Sequence, residues 1–232
     1  VDVAWIHRIN EGSVMSSYRP FRLLPMTTAL FAVVLASGCA VTPPAAERMV
    51  VAPTGTVLTY HRKSSGSLGA FDGKVVWNQS NSSWQGQPMV AVGSAVAGTT
   101  LHEPARFGIV AIVNPAGQPV VSYTPPIAYQ WPLEVGKAWT SSHTATLHAI
   151  GKTIPVQVNW KVEAWEDITV PAGTFKAYKL VWADNLGETE TRWVNPQASL
   201  ATIKRHVERP ATHPQGAGVL DAELQSYVFP GK

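Results

Sequence analysis

The amino-acid sequence predicts an all-β fold with at most a minor α part: a strongly bent antiparallel sheet, an open half-barrel or barrel-like. Three observations carry that prediction. The 18 glycines and 18 prolines of the 232-residue chain are spread between short apolar runs, which means many turns and short elements. TIPVQVNWKVEAW (153–165) alternates without a break. Ile154, Val156, Val158, Trp160, Val162 and Ala164 share one face, and Pro155, Gln157, Asn159, Lys161 and Glu163 the other, as in a half-buried strand. ITVPAGTFKAYKLVW (168–182) is a hairpin: Pro171 presets φ for a turn, and Gly173 supplies the positive φ that follows it.

Taken in order, residues 56–62, 74–77, 108–113 and 119–123 are short strand candidates, with Asn114-Pro115-Ala116-Gly117 as the turn between the last two. VAVGSAVAGTTLHEPARF (90–107) is the one place for a short helix, and its glycines and Pro104 argue against a long one. Residues 138–150 and 153–165 form a hairpin about Gly151-Lys152. Pro155 suits an edge position or a strand end, because it lacks the N–H that a central ladder uses. Residues 189–194, 199–207 and 220–229 complete the set. The reading is one β-rich domain over residues 55–232.

The N-terminal region reads differently. From Met15, Arg19 and Arg22 form a basic start, residues 29–36 an apolar core, and Ala36-Ser37-Gly38 a run of small residues before the single cysteine, Cys39. The apolar core falls well short of the roughly 20 residues that span a bilayer. Leu35-Ala36-Ser37-Gly38-Cys39 resembles the lipobox of bacterial lipoproteins, with Ala36 where that family more often has Leu. The resemblance implies a diacylglycerol on the Cys39 sulfur, cleavage before it and acylation, for instance by palmitate, of the new amine. Two or three acyl chains hold a membrane surface far more firmly than one. Ala40, rather than Asp, at the next position resembles outer-membrane sorting facing the periplasm, ahead of an inner-membrane destination. Residues 1–38 are then upstream sequence plus signal peptide, and residues 39–54, rich in Pro and Ala, are a lipidated tether. Without residues 1–38 the chain loses Arg8, Arg19, Arg22, Asp2 and Glu11 and is close to neutral.

Composition excludes several classes of function. Hydrophobic residues are 45% and charged residues 14%, too apolar for a disordered chain. One cysteine excludes an internal disulfide and a thiolate-rich zinc site. Lys and Arg are scattered, so no nucleic-acid partner is expected. The densest basic spots, His61-Arg62-Lys63 and Lys204-Arg205-His206, read as solvated loop or edge-strand charge.

Three linked pieces carry a second resemblance: WPLEVGKAW (131–139), ITVPAGTFKAYKL (168–180) and ETRWVNPQASLATIKR (190–205). In order and spacing they resemble an uncharacterised family of exported bacterial β-proteins with PLxxGxxW and VPAGTF motifs. The third piece departs from it, with Gln197-Ala198-Ser199 where the family has a glycine-containing turn. The resemblance implies an open antiparallel architecture like the half-barrels of lipoprotein carriers. It implies no catalytic residue, and the motif positions read as structural, with Trp139 and Phe175 in the core.

A direct search for chemistry finds little. There is no nucleophile elbow, P-loop or dinucleotide fingerprint, and Glu166 and Asp167 are adjacent on a strand and point apart. His206, Glu208 and His213 are the one metal candidate, at a spacing that fits no zinc pattern. No cofactor is expected. WNQSNSSWQGQ (77–87) places Trp77, Asn78 and Trp84 around amides and hydroxyls, a composition suited to glycan contact; the plain alternative is a polar hairpin loop with Trp77 packed inward. The expectation is a lipid-anchored envelope protein without catalysis. It binds an apolar lipid or a glycan in a concave sheet lined by Val156, Val158 and Trp160, or else scaffolds an assembly with an envelope protein partner. A hydrolase is the third reading.

Overall fold

The computed structural model, which describes residues 45–231, contains twelve strands. They are β1 (Val57–Gly66), β2 (Phe71–Trp84), β3 (Gln87–Ser94), β4 (Gly98–His102), β5 (Ile109–Val113), β6 (Pro119–Ile127), β7 (Ala138–Leu147), β8 (Lys152–Val170), β9 (Gly173–Asp184), β10 (Thr189–Asn195), β11 (Leu200–Arg209) and β12 (Gly218–Val228). Each is antiparallel to the next, and β12 returns to β1, with Arg62 opposite Ala222 and Ser64 opposite Leu220. The sheet is therefore a closed up-and-down barrel. Closure removes the free edges that a bent sheet would otherwise expose. Cys39 and the signal lie outside the described residues.

Alternation sets which side chains enter the lumen. On β8, Val156, Val158, Trp160 and Val162 are buried, while Gln157, Asn159, Lys161 and Glu163 are exposed. The polar and charged side chains on the outer face of β8 suit contact with water. After Val162 the register slips by one residue against β9, which bends the strand. The bent hairpin then reaches back across the sheet. The Ala172 amide donates to the Leu224 carbonyl at 3.1 Å, and Val170 and Ala177 pack with Leu200, Ile203 and Leu224. The VPAGTF motif thus pins the tip of β8–β9 to β12, and Gly173 at φ +131° makes the turn.

Pro155 lies near the start of β8, where β8 overhangs β9 before the first pair of that ladder, Val158 with Asp184, so its missing N–H has no partner to lose, as its strand-end reading expects. Three expectations are corrected. The region 90–107 is β3, a tight turn and β4, not a helix. Residues 77–87 are mostly strand, with β2 running through to Trp84 and a two-residue turn at Gln85 (φ +49°) and Gly86 (φ +78°). Residues 45–54 are packed, not a free tether. Ala46 bridges to Leu133, the Val50 amide donates to the Pro196 carbonyl, and the Gln79 side chain donates to the Ala52 carbonyl. The segment lacks sequence periodicity because it crosses the end of the barrel between three loops and strands instead of joining a ladder. Its apolar residues Ala46, Met49 and Ala52 are nonetheless buried there.

Candidate functional site

A barrel of twelve strands is wider than one whose own side chains fill it completely. Here ion pairs, aromatic rings and the crossing segment fill much of the lumen, and a cavity of about 380 Å³ remains. Met49 and Ala52 close it at one end; Leu68, Glu188 and Arg209 lie toward the other, where the odd-numbered hairpins turn.

The two walls differ in chemistry. One carries Val158, Trp160 and Trp182, with Tyr129 and Ile127 beside them. Trp160 stacks parallel to Trp139 at 5.5 Å, meets Tyr129 edge-on at 5.5 Å and lies 5.9 Å from Trp182. Such pairs add about 0.5–1.5 kcal/mol each beyond burial and hold the wall rigid. The Trp160 indole N–H donates to Ser141 Oγ at 3.2 Å.

The other wall is ionic. Glu190 has no exposed side-chain surface and accepts from Arg192 on one oxygen and from Arg205 on the other. Burial alone would raise its carboxyl pKa, but the two arginines together outweigh burial and hold it below the ordinary range. Glu188 pairs with one arginine, Arg209, through Oε2. Arg62 joins the arginines that line the cavity, and it binds Ser64 Oγ at 3.3 Å and the Leu68 carbonyl at 2.8 Å. Burial lowers the Arg62 pKa, and the nearby Arg205 charge lowers it further. His102 stacks on Phe107 at 4.1 Å and donates from Nδ1 to the Phe107 carbonyl at 3.1 Å; burial pushes its imidazole down to about 4, so it is neutral at pH 7.

The residues singled out from sequence are divided by this geometry. Trp77, Val158 and Trp160 line the cavity. Val156 is buried one step further along β8, packed with Ala145. Asn78 is exposed on the outer face. Trp84 is seven residues from Trp77 on the same strand, so the two point to opposite sides and form no common platform. Trp84 instead borders a solvent-open outer depression with Met89 and Pro126, edge-on to His148 at 6.0 Å. His206, Glu208 and His213 do not converge: His206 pairs with Asp221 at 2.8 Å outside the barrel, Glu208 is exposed, and His213 is buried in the β11–β12 loop. Among the described residues no group of His, Cys, Asp and Glu is arranged to hold a metal ion.

The ionic wall was not anticipated. Both basic runs read as solvated place their middle residue, Arg62 or Arg205, in the lumen. Their neighbours pair outside: His61 and Lys63 with Asp72, Lys204 with Glu223. The available signal was parity, since Glu190-x-Arg192-x-Val194 and Arg205-x-Val207-x-Arg209 carry charge in step with apolar positions.

No family model matches the chain, and no curated protein matches it. Solved structures resemble it distantly. A candidate lipoprotein of Parabacteroides distasonis is 12% identical, with 79% of this chain and 99% of that one covered at a TM-score of 0.40. A candidate exported protein of Bacteroides fragilis with a YmcC-like fold is 10% identical over 78% and 99%, TM-score 0.43. The hypothetical lipoprotein YmcC of Escherichia coli is 8% identical over 75% and 84%, TM-score 0.43.

Proposed function

We propose that this chain is a lipid-anchored envelope protein that binds an apolar ligand inside its barrel without transforming it. The observation that supports the binding reading is the cavity of about 380 Å³, within the range of small-molecule sites, with Trp77, Trp160 and Trp182 on its walls. A scaffold would have no need of a preformed internal space. The tryptophan wall favours a lipid chain over a glycan, which calls for a surface richer in amides and hydroxyls.

The polar groups nearest to catalytic geometry support a structural role. Ser141 Oγ donates to His143 Nε2 at 2.8 Å, while His143 Nδ1 donates to the Pro125 carbonyl at 2.9 Å. That resembles a nucleophile and base, but the serine oxygen also accepts from Trp160, and neither residue lines the cavity. The lumen carboxylates are committed to arginines, which leaves neither one ready to act as a base.

The anchor rests on the Cys39 motif. Mass spectrometry of the protein from a bacterial membrane fraction is expected to show acyl mass on Cys39, absent in Cys39→Ala; an unmodified Cys39 in the mature chain sinks the anchor. For the lumen, the full Cys39→Ala chain is purified without detergent and extracted with organic solvent. A lipid recovered in near-stoichiometric amount supports the reading, and a clean extract counts against it.

A further inference from the structure

Pairing across β2, β1, β12, β11 and β10 puts Gly73, Arg62, Ala222, Arg205 and Arg192 in one hydrogen-bonded row. Arg62, Ala222, Arg205 and Arg192 all line the cavity. Three guanidiniums in one row repel unless anions intervene, because like charges on neighbouring strands are unfavourable. Glu190 serves Arg192 and Arg205 together. Arg62 stands apart from them across Ala222, and among the described residues it pairs with no carboxylate. Its neighbours in the row are Gly73 and Ala222. The Phe71 ring covers the Gly73 side and lies 5.9 Å from the Arg62 guanidinium, so the room beside Arg62 is on the Ala222 side, toward Arg205. Nε and one terminal nitrogen are engaged by Ser64 and Leu68, which holds the guanidinium in place and leaves Nη1 uncommitted among the described residues. Arg62 is also half-buried, and burial first and the Arg205 charge second lower its pKa.

The next row holds the opposite chemistry. Trp139, Trp160, Trp182, Glu190, Val207 and Leu220 are paired in sequence across β7 to β12. An occupant that meets Arg62 thus finds the apolar faces of Leu220 and Val207 beside it and the tryptophans across the lumen. A volume near the lower end of ligand cavities suits one chain rather than two.

We propose that the lumen takes a single-chain amphiphile with one anionic group, a carboxylate or a phosphate, held above Ala222 between Arg62 and Arg205, with its apolar chain against Trp160 and Trp182. The planar fork of arginine matches both oxyanions, and charge-assisted bonds of this kind are about twice as strong as neutral ones. This inference rests on the lumen-binding reading above and adds the charge of the ligand.

The test uses the full Cys39→Ala chain at pH 8 and fluorescence titration with cis-parinaric acid and with its methyl ester, which differ in the charge and by one methyl group. The acid is expected to bind about ten-fold more tightly than the ester, as one charge-assisted contact allows. Arg62→Gln is expected to bring the acid to the affinity of the ester and leave the ester within about two-fold. Displacement by lysophosphatidic acid extends the site to phosphate headgroups, and its failure beside a bound fatty acid restricts the site to carboxylates. Displacement by inorganic phosphate alone at the same concentration overturns the amphiphile assignment. Equal affinity of wild type for acid and ester overturns the anionic assignment and leaves lumen binding standing; absence of binding by both overturns both. The comparison of acid with ester on the wild-type chain needs no variant to fold.

Discussion

Arg205 donates from both Nε, at 2.9 Å, and Nη2, at 2.7 Å, to the same carboxylate oxygen of Glu190, while Arg192 takes the other oxygen. Removing that carboxylate strands two cations against the Trp160–Trp182 wall. Glu190→Gln is therefore expected to lose about 3–5 kcal/mol in urea denaturation. Glu223→Gln, which breaks the part-exposed pair with Lys204 at 2.7 Å outside the barrel, should lose no more than about 1 kcal/mol. The native Glu190 carboxyl ionises below its unfolded value, so its contribution is present above the unfolded pKa and disappears as pH falls through the folded one. The Glu190→Gln chain should accordingly lose less additional stability than wild type over that acid range.

His102 gives a second pH dependence of different origin. The unfolded chain protonates this imidazole near pH 6.5 and the folded chain only near 4, because burial opposes the charge. Stability is thus unaffected above pH 6.5, falls through that window and levels off below it, by up to about 3 kcal/mol. His102→Gln should flatten this part of the profile. Denaturation midpoints at pH 7.5 and pH 5 for both chains decide it: an equal drop in the two shows that His102 is not the source.

Gly173 has φ +131°, a backbone conformation open to glycine and strained for any residue with a Cβ. Gly173→Val is expected to cost about 1–3 kcal/mol. The loss should also release the Ala172 amide from Leu224, which hydrogen exchange reads at that one site. An exchange rate at Ala172 unchanged from wild type would mean that the hairpin tip does not depend on this turn.

Trp160 is the ring of the apolar wall that meets three others, stacked on Trp139, edge-on to Tyr129 and tilted against Trp182. Trp160→Ala should lower stability by about 3–5 kcal/mol and weaken binding of both charged and neutral apolar probes. Trp84→Ala, on the outer face, should leave probe binding as it is.

The strands that sequence showed most clearly are those whose two faces differ. β8 alternates apolar and polar side chains because one face meets the lumen wall of tryptophans and the other meets water. β3 and β4 were hidden for the opposite reason. Met89, Ala91 and Leu101 are buried on the face away from the cavity, beside Trp84, so both sides of these short strands carry small or apolar residues and the period of two disappears. The turn before them uses Gln85-Gly86, where Asn-Gly or Asp-Gly would have announced a hairpin. Closure of the barrel depends on β12 meeting β1, a pairing of residues more than 150 apart in sequence that no local pattern encodes. The site was half legible. Its tryptophan wall follows from alternation, whereas a charge turned inward toward a buried partner has the same one-letter signature as a charge turned outward to water.

The most direct test of the account is where an acyl ligand sits. The full Cys39→Ala chain is labelled with a diazirine-bearing fatty acid, irradiated, digested and mapped by peptide mass spectrometry. The account predicts adducts on the inward positions of β8, β9, β11 and β12, around Trp160, Trp182, Val207 and Leu220, and their suppression by unlabelled fatty acid. Adducts confined to the outer depression at Trp84 and Met89, or to the exposed hairpin tips at Val96 and Ile150, would contradict it.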